Sequence, residues 1–172
     1  MVQDPFDTNL LNYIFRTQEG TKRQPVSRES KNLEFKENFH DQNRDMYARI
    51  MAGFANTQGG YIIFGVSEKP RELKGMTNDK FENFKQEQFT ETLNTKFSPE
   101  IHWETYTHNI GFRKFGIIYI YQSYHKPIIA NVNGDGFKEG DIFYRYNSRI
   151  QRIKYTELRT IIDSIKSKEK KM

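Results

Sequence analysis

Apolar residues recur at helical spacing in four stretches of the chain. The most continuous apolar stripe lies in residues 43–57 and consists of Met46, Tyr47, Ile50, Met51, Phe54 and Ala55. The same spacing predicts a short helix at 6–16, a second long helix at 79–97 and a terminal helix at 155–167. Because each predicted helix has one apolar face, each is expected to pack against another element.

Shorter apolar runs predict the strands between these helices. Residues 61–66 form an unbroken run of strand length, which is typical of a central strand covered on both faces. Further strands are predicted at 32–37, 101–107, 111–121, 127–130 and 141–146. The order of elements, roughly α, β, α, β, α, β, β, β, α, predicts a single α+β domain with a mixed β-sheet flanked by helices.

The amino-acid composition excludes several kinds of protein and several kinds of metal site. The 172 residues include 14 Phe and 10 Tyr, enough bulk for one core, and no Cys, which excludes disulfides and Cys-based zinc sites. The four His lie far apart, so no zinc is expected. No apolar run is long enough to cross a membrane and no secretory signal is recognised, so the prediction is a cytoplasmic protein without a membrane partner.

The formal net charge is +5, and the basic residues are clustered. One cluster precedes the 32–37 strand and consists of Arg16, Lys22, Arg23, Arg28 and Lys31. A second cluster near the C-terminus consists of Arg145, Arg149, Arg152 and Lys154, and residues 166–171 form a basic tail. Basic clusters attract polyanions such as nucleic acids, although many basic proteins bind none.

Two acids and a lysine surround the first predicted strand. Glu34 and Lys36 alternate with Leu33 and Phe35, so the charged pair shares one face of the strand, and Glu29 lies just upstream. Carboxylates can hold a hard cation, and a nearby lysine can orient a water or a phosphate oxygen. The alternative is a surface ion pair on an edge strand, which would contribute little free energy.

Two blocks carry a resemblance to a known family. The first block reads ESKNLEFK from residue 29, and the second reads FANTQGGYIIFGVSE from residue 54. Later pieces agree, namely YQSYHKP from residue 121 and YRYNS from residue 144. Together they resemble the AlbA-like domain of the Schlafen family over about residues 27–150. Residues 1–26 are then interpreted as an N-terminal helix and basic loop, and 151–172 as a C-terminal helix and basic tail.

The resemblance implies nucleic-acid binding and, in some vertebrate members, metal-dependent cleavage of tRNA and related RNA. It implies three metal-binding acids, which map to Glu29, Glu34 and Glu68, with Mg²⁺ or Mn²⁺ as the ion and Lys36 placing the attacking water. Where relatives often carry two acids, this chain has Ser67 before Glu68. Asn147 replaces the usual glycine of a turn, and Asn tolerates positive φ better than most other residues. No P-loop is present, so no ATP site is expected.

Several functions stay open at this point. The enzyme hypothesis is an endoribonuclease acting on tRNA or other structured RNA. The alternative is a non-catalytic DNA- or RNA-binding or transcription-regulatory module, in which the acids and Lys36 form an ion-pair network. The candidate nucleic-acid contacts are Arg28, Lys31, Arg145, Arg149 and Arg152, with Tyr124, Tyr144 and Tyr146 as candidate stacking residues. Arg145 has the alternative of pairing with Glu139 or Asp141, and a homodimer is a further hypothesis.

Overall fold

A computed structural model describes residues 4–169, without the side chain of the last of these. The α-helices of this part are α1 (Thr8–Ile14), α2 (Arg44–Asn56), α3 (Lys80–Asn83), α4 (Gln86–Lys96) and α5 (Tyr155–Glu169). The Asp7 side chain caps α1 by accepting from the backbone N–H groups of Asn9 and Leu10. The part of the basic tail formed by Lys170 and Lys171 lies outside the described residues.

Ten strands alternate with these helices in the described residues. The first five are β1 (Leu33–Lys36), β2 (Gly60–Phe64), β3 (Val66–Glu68), β4 (Arg71–Leu73) and β5 (Phe97–Ser98). The others are β6 (Trp103–Ile110), β7 (Arg113–Ile120), β8 (Ile129–Ala130), β9 (Phe143–Tyr146) and β10 (Arg149–Arg152). Four of them make the main sheet, and the other six form three two-stranded pairs.

The main sheet has the order β1-β2-β7-β6. The β1–β2 pair is parallel, whereas β2–β7 and β7–β6 are antiparallel. The sheet is therefore mixed and the domain is α+β, as the sequence predicts. The three small pairs are β3–β4, β5–β8 and β9–β10, all antiparallel.

Both faces of the sheet are covered, so the core has two parts. One part lies between the sheet and α2 and α4, and it includes Tyr47, Phe54, Phe64 and Phe89, all fully buried. The other lies against α1 and includes Leu11, Phe35, Ile63 and Phe115. Because β2 contributes alternate residues to both parts, its sequence is apolar throughout, which explains the unbroken run at 61–66.

The end of α2 is fixed by local and distant contacts. Gly59 follows the helix with a φ of 74°, a left-handed conformation that glycine adopts readily. The buried Asn56 donates from Nδ2 to the carbonyls of Ile128 and Phe143, and its Oδ1 accepts from the Ile128 N–H. One amide therefore ties α2 to the segments that contain β8 and β9.

Three sequence predictions of local structure differ from the molecule. The helix predicted at 79–97 is interrupted, because Phe84 is extended and its ring packs against Phe39 and Phe81. The strands predicted at 101–107 and 111–121 are observed at Trp103–Ile110 and Arg113–Ile120, joined by a turn at residues 111–112. The strand β10 is missing from the prediction, because its one apolar residue, Ile150, stands among polar residues and gives no alternating pattern. No helix within residues 4–169 has both the length and the apolar character to cross a membrane.

Candidate functional site

A cleft of about 280 Å³ opens between β1, α2 and the β9–β10 hairpin. Its charged lining residues are Glu34, Lys36, Arg49, Arg145 and Arg149. The strand β1 presents Glu34 and Lys36 on its α2-facing side because Leu33 and Phe35 point to the core against α1. The cleft thus brings together four basic residues and one acid from three separate parts of the sequence.

Glu34 is held between two cations at the base of the cleft. Its Oε1 accepts from the Lys36 ammonium at 2.6 Å, and its Oε2 accepts from Nη1 of Arg145, also at 2.6 Å. The Glu34 side chain is only 10% exposed and that of Arg145 only 1%. Both carboxylate oxygens are therefore committed to ion pairs in a largely desolvated place.

The guanidinium of Arg145 donates its hydrogen bonds to acceptors inside the protein. Its Nε donates to the carbonyls of Ser30 and Asn147, and its Nη2 donates to the carbonyl of Leu33. The guanidinium also lies 4.9 Å from the centre of the Phe54 ring. The sequence suggested a nucleic-acid contact or a pair with Glu139 or Asp141, but the structure buries Arg145 against Glu34, so its guanidinium is not accessible to a phosphate.

The turn of the β9–β10 hairpin supports this arrangement. Asn147 has a φ of 52°, so it takes the left-handed conformation that the sequence predicts for the position usually held by glycine. This turn directs the Asn147 carbonyl to the Arg145 Nε at 3.0 Å. The hairpin and the strand β1 are consequently fastened together through one arginine.

The other two predicted metal-binding acids lie outside the cleft lining. Glu29 accepts from the backbone N–H of Phe35 at 3.2 Å and pairs with Nη2 of Arg71 at 3.5 Å. Glu68 is exposed, and its partner in the β3–β4 register is Arg71. Arg71 therefore contacts Glu29 through its side chain and is the residue paired with Glu68 across the β3–β4 ladder.

This arrangement does not fit a divalent ion held by the three acids. Each oxygen of Glu34 has a cationic partner, and Glu29 already binds an amide and a guanidinium. Between residues 4 and 169 no group of three His, Asp or Glu side chains is placed to hold a metal ion. A carboxylate neutralised by a guanidinium is a poor metal ligand until that pair opens.

The remaining predicted basic residues are exposed. Arg149 is exposed on β10 at the rim of the cleft, and Arg28 and Lys31 flank Ser30, whose carbonyl contacts Arg145. Arg152 is exposed but pairs with Asp141 at 2.7 Å, and this hydrogen bond lowers the pKa of Asp141. Arg149 is thus the exposed basic residue at the rim of the cleft, whereas Arg28 lines a separate cavity beside α1 and Lys31 is exposed close to it in sequence.

Sequence reasoning missed Arg49. This residue lies on α2, lines the cleft and donates from Nη1 to the carbonyl of Gly136 at 3.2 Å. Its Nε is buried without a hydrogen-bond partner in the part of the chain that the structure describes. The available signal was a single arginine in the middle of an apolar helix, since such a residue needs a polar partner or an opening to solvent.

The three predicted stacking tyrosines are partly occupied by protein contacts. The rings of Tyr144 and Tyr146 pack on each other at 5.1 Å, and the Tyr146 hydroxyl donates to Glu157. Tyr124 is 76% exposed, but the Lys168 ammonium lies 4.1 Å from the centre of its ring. Of these tyrosines, Tyr124 alone offers a mostly open ring.

Comparison with known proteins matches the chain to a family and to curated relatives. The sequence profile of the family described as Schlafen, AlbA_2 matches residues 29–154. A protein of Ureaplasma parvum serovar 3, named an uncharacterized ATP-binding protein, is 41% identical over 152 residues. The match covers 80% of this chain and 43% of that protein, so the chain spans less than half the length of this curated relative.

Solved structures also resemble the chain, and two of them are described. A crystal structure of a Corynebacterium diphtheriae protein has a TM-score of 0.55 at 15% identity, over 84% of this chain and 25% of that one. The solution NMR structure of the N-terminal domain of a RecG-related ATP-dependent DNA helicase protein from Nitrosomonas europaea has a TM-score of 0.48 at 20% identity. That match covers 75% of this chain and 87% of that one. At such identity the first likeness concerns the fold alone.

Proposed function

This chain belongs to the Schlafen AlbA_2 family, and we propose that it binds nucleic acid by holding backbone phosphates at the cleft between β1, α2 and the β9–β10 hairpin. The observation that carries the proposal is the charge of that cleft. Four basic side chains line it with one carboxylate, and that carboxylate is already neutralised by Lys36 and Arg145. The cleft therefore has a surplus of positive charge and favours an anion.

The positive surface extends beyond the cleft, which favours a polyanion over a small anion. Arg28 and Lys31 are exposed outside the cleft on the segment whose Ser30 carbonyl contacts Arg145, and Arg149 is exposed at the rim of the cleft. Several cations spread along one surface can each replace a counterion of a phosphate backbone. A single bound phosphate would engage only part of this surface.

Binding is tested by fluorescence anisotropy with a labelled structured RNA, a single-stranded RNA and a single-stranded DNA. Affinity should fall steeply as salt rises from about 50 to 200 mM, because phosphate contacts release counterions. Arg149→Ala should weaken binding, whereas the matched control Arg159→Ala should not, since Arg159 lies on α5 and pairs with Asp163. Absence of binding at low salt, or binding that salt does not change, contradicts the proposal.

The finer hypothesis is metal-dependent cleavage of tRNA or other structured RNA. It requires Glu29 and Glu34 to leave their present partners and to converge with the exposed Glu68, so binding without cleavage is the function that the geometry supports best. Incubating tRNA with the protein in Mn²⁺, Mg²⁺ or EDTA measures this directly. Metal-dependent products that disappear in Glu68→Gln, an exposed substitution, would establish the enzyme.

Two further predictions are checked with the same material. The Ureaplasma relative has ATP binding in its name, whereas the sequence predicts no ATP site. Competition of ATP, with and without Mg²⁺, against labelled RNA measures whether a nucleotide occupies the same surface. Light scattering on the free protein and on its RNA complex tests the predicted homodimer.

A further inference from the structure

The β6–β7 hairpin ends in a tight and rigid tip. Its strands pair over eight residues each, from Trp103 opposite Ile120 to Ile110 opposite Arg113, and only Gly111 and Phe112 form the loop. Gly111 has a φ of 59°, and Phe112 is not among the residues with positive φ. This is the pattern of a type II′ turn, which matches the twist of paired strands.

The ring at this tip is fully exposed. The relative solvent exposure of Phe112 is 108%, so the residue is as open as in a free extended chain. It is more exposed than the other large apolar residues at the surface of the described chain. Most of the other phenylalanines of this part of the chain are buried in the core. Covering an exposed phenyl ring with a flat apolar surface is favourable, because it removes apolar area from water. Little conformational entropy is lost, because the two-residue loop already holds the ring in place.

Cations surround the tip. They are Lys22, Arg23, Lys74, Arg113 and Lys114, four of them exposed and Arg113 half-buried. Arg113 holds this corner together because its Nη1 donates to the Leu73 carbonyl at 2.6 Å and to the Lys22 carbonyl at 3.4 Å. The nearby acids are Glu82, which pairs with Lys114, and Glu72 on β4. Positive charge therefore outweighs negative charge at this corner.

The tip stands at the same end of the sheet as the cleft lysine. Lys36 of β1 is paired in register with Phe64 of β2, and Phe64 is paired with Gly116 of β7. Phe112 lies four residues before Gly116. With strands about 4.8 Å apart and a rise of about 3.4 Å per residue, two strand spacings and four residues place the tip roughly 17 Å from Lys36. A stacked single strand of about four or five nucleotides covers that distance at about 3.4 Å per nucleotide.

We propose that Phe112 is a stacking platform for an unpaired base, and that the surrounding cations hold the phosphates next to that base. This inference rests on the proposed function and narrows its ligand to nucleic acid with accessible bases, such as single strands, loops and frayed ends. A ring on a rigid tip can stack on any base face, so the contact is tolerant of sequence. A fully paired duplex interior offers no exposed base face to this ring.

The test compares Phe112→Ala with the parent protein on a single-stranded oligonucleotide and on a blunt-ended duplex of equal charge that is rich in G·C pairs and has no loop. Binding to the single strand should weaken roughly tenfold, within the range of base–aromatic stacking, while binding to the duplex should change little. Phe112→Trp should keep the affinity of the parent protein, because it retains an aromatic ring, and it should quench the fluorescence of 2-aminopurine placed in the strand. Tyr155→Ala is the matched control, because Tyr155 is a 77% exposed aromatic residue on α5.

The outcomes separate this inference from the function on which it rests. If Phe112→Ala binds single strands as tightly as the parent while Arg149→Ala binds weakly, the stacking role is overturned and the cleft is retained. If the parent protein binds no nucleic acid, both fail. If Phe112→Ala loses binding to vesicles of anionic lipid but not to single strands, the tip is a membrane contact and the inference is again overturned.

Discussion

Arg145 and Arg149 lie on the same hairpin, yet their side chains have opposite surroundings. Arg145 is 2% exposed, with its guanidinium bound to Glu34 and to three backbone carbonyls. Arg149 is exposed at the rim of the same cleft. The comparison teaches that the base of this cleft contributes to stability and that its rim is the part available to a ligand.

The largest effect should come from breaking the buried pair. Arg145→Ala leaves the Glu34 carboxylate half-neutralised and three carbonyls without their donor, so we expect a loss of about 3–5 kcal/mol in the free energy of unfolding. Urea denaturation followed by circular dichroism measures the loss. A change below 1 kcal/mol would mean that the base of the cleft is not structural.

The same reasoning changes the interpretation of Glu34→Ala. The family resemblance implies that Glu34 is a metal-binding acid, but Glu34 pairs with a guanidinium that is almost fully buried. We therefore expect Glu34→Ala to destabilise the protein by an amount similar to Arg145→Ala. A loss of activity in this variant would need a stability measurement beside it.

A double substitution sharpens the comparison. In Glu34→Leu with Arg145→Met, no charge of the pair is left alone, so the double variant should be more stable than either single variant. We expect a coupling free energy of about 0.5–3 kcal/mol from the double-mutant cycle. Additive losses would show that the two side chains act independently, which the 2.6 Å contact argues against.

At the rim the effect should appear in binding and not in stability. Arg149→Ala should lower affinity for nucleic acid and reduce the magnitude of the salt slope by about 1, the signature of one lost phosphate contact. Its free energy of unfolding should stay within about 0.5 kcal/mol of the parent. A destabilised Arg149→Ala protein would remove the distinction between base and rim.

The smallest effect is expected at Arg152, which is exposed but paired with Asp141. Arg152→Ala should cost little stability near pH 7, because solvent screens a surface ion pair. The hydrogen bond from Arg152 lowers the pKa of Asp141 in the folded state, so the unfolded state binds the proton more readily. The difference between parent and variant should accordingly shrink as the pH falls from about 5 towards 2, measured by urea denaturation at each pH.

The fold was largely predictable from local pattern, with exceptions that have physical causes. The helix predicted at 43–57 is observed at Arg44–Asn56, and the apolar run at 61–66 covers most of the central strand Gly60–Phe64 and the first residue of β3. The interruption near Phe84 was not predictable, because it arises from packing of that ring against Phe39, a residue distant in sequence. Side-chain packing between elements overrides helical periodicity at such a point.

The candidate site was predictable in part. The sequence identified Glu34, Lys36 and Arg149, and the structure brings all three to one cleft. It could not show that Glu29 and Glu68 lie outside the lining of that cleft, because the spacing of acids along a chain does not fix the direction of their side chains. Arg49 was overlooked because its helix was interpreted only as a source of apolar contacts.

By itself the sequence determined the elements, the α+β class and the family, since these depend on residue periodicity and on contiguous motifs. Tertiary structure alone decided which charged side chains are engaged in ion pairs inside the protein and which are free to contact a ligand. Glu34 and Arg145 are 111 residues apart in the chain and 2.6 Å apart in space. No local pattern encodes such a pair, because it exists only where folding has brought β1 and the β9–β10 hairpin together and removed water from between them.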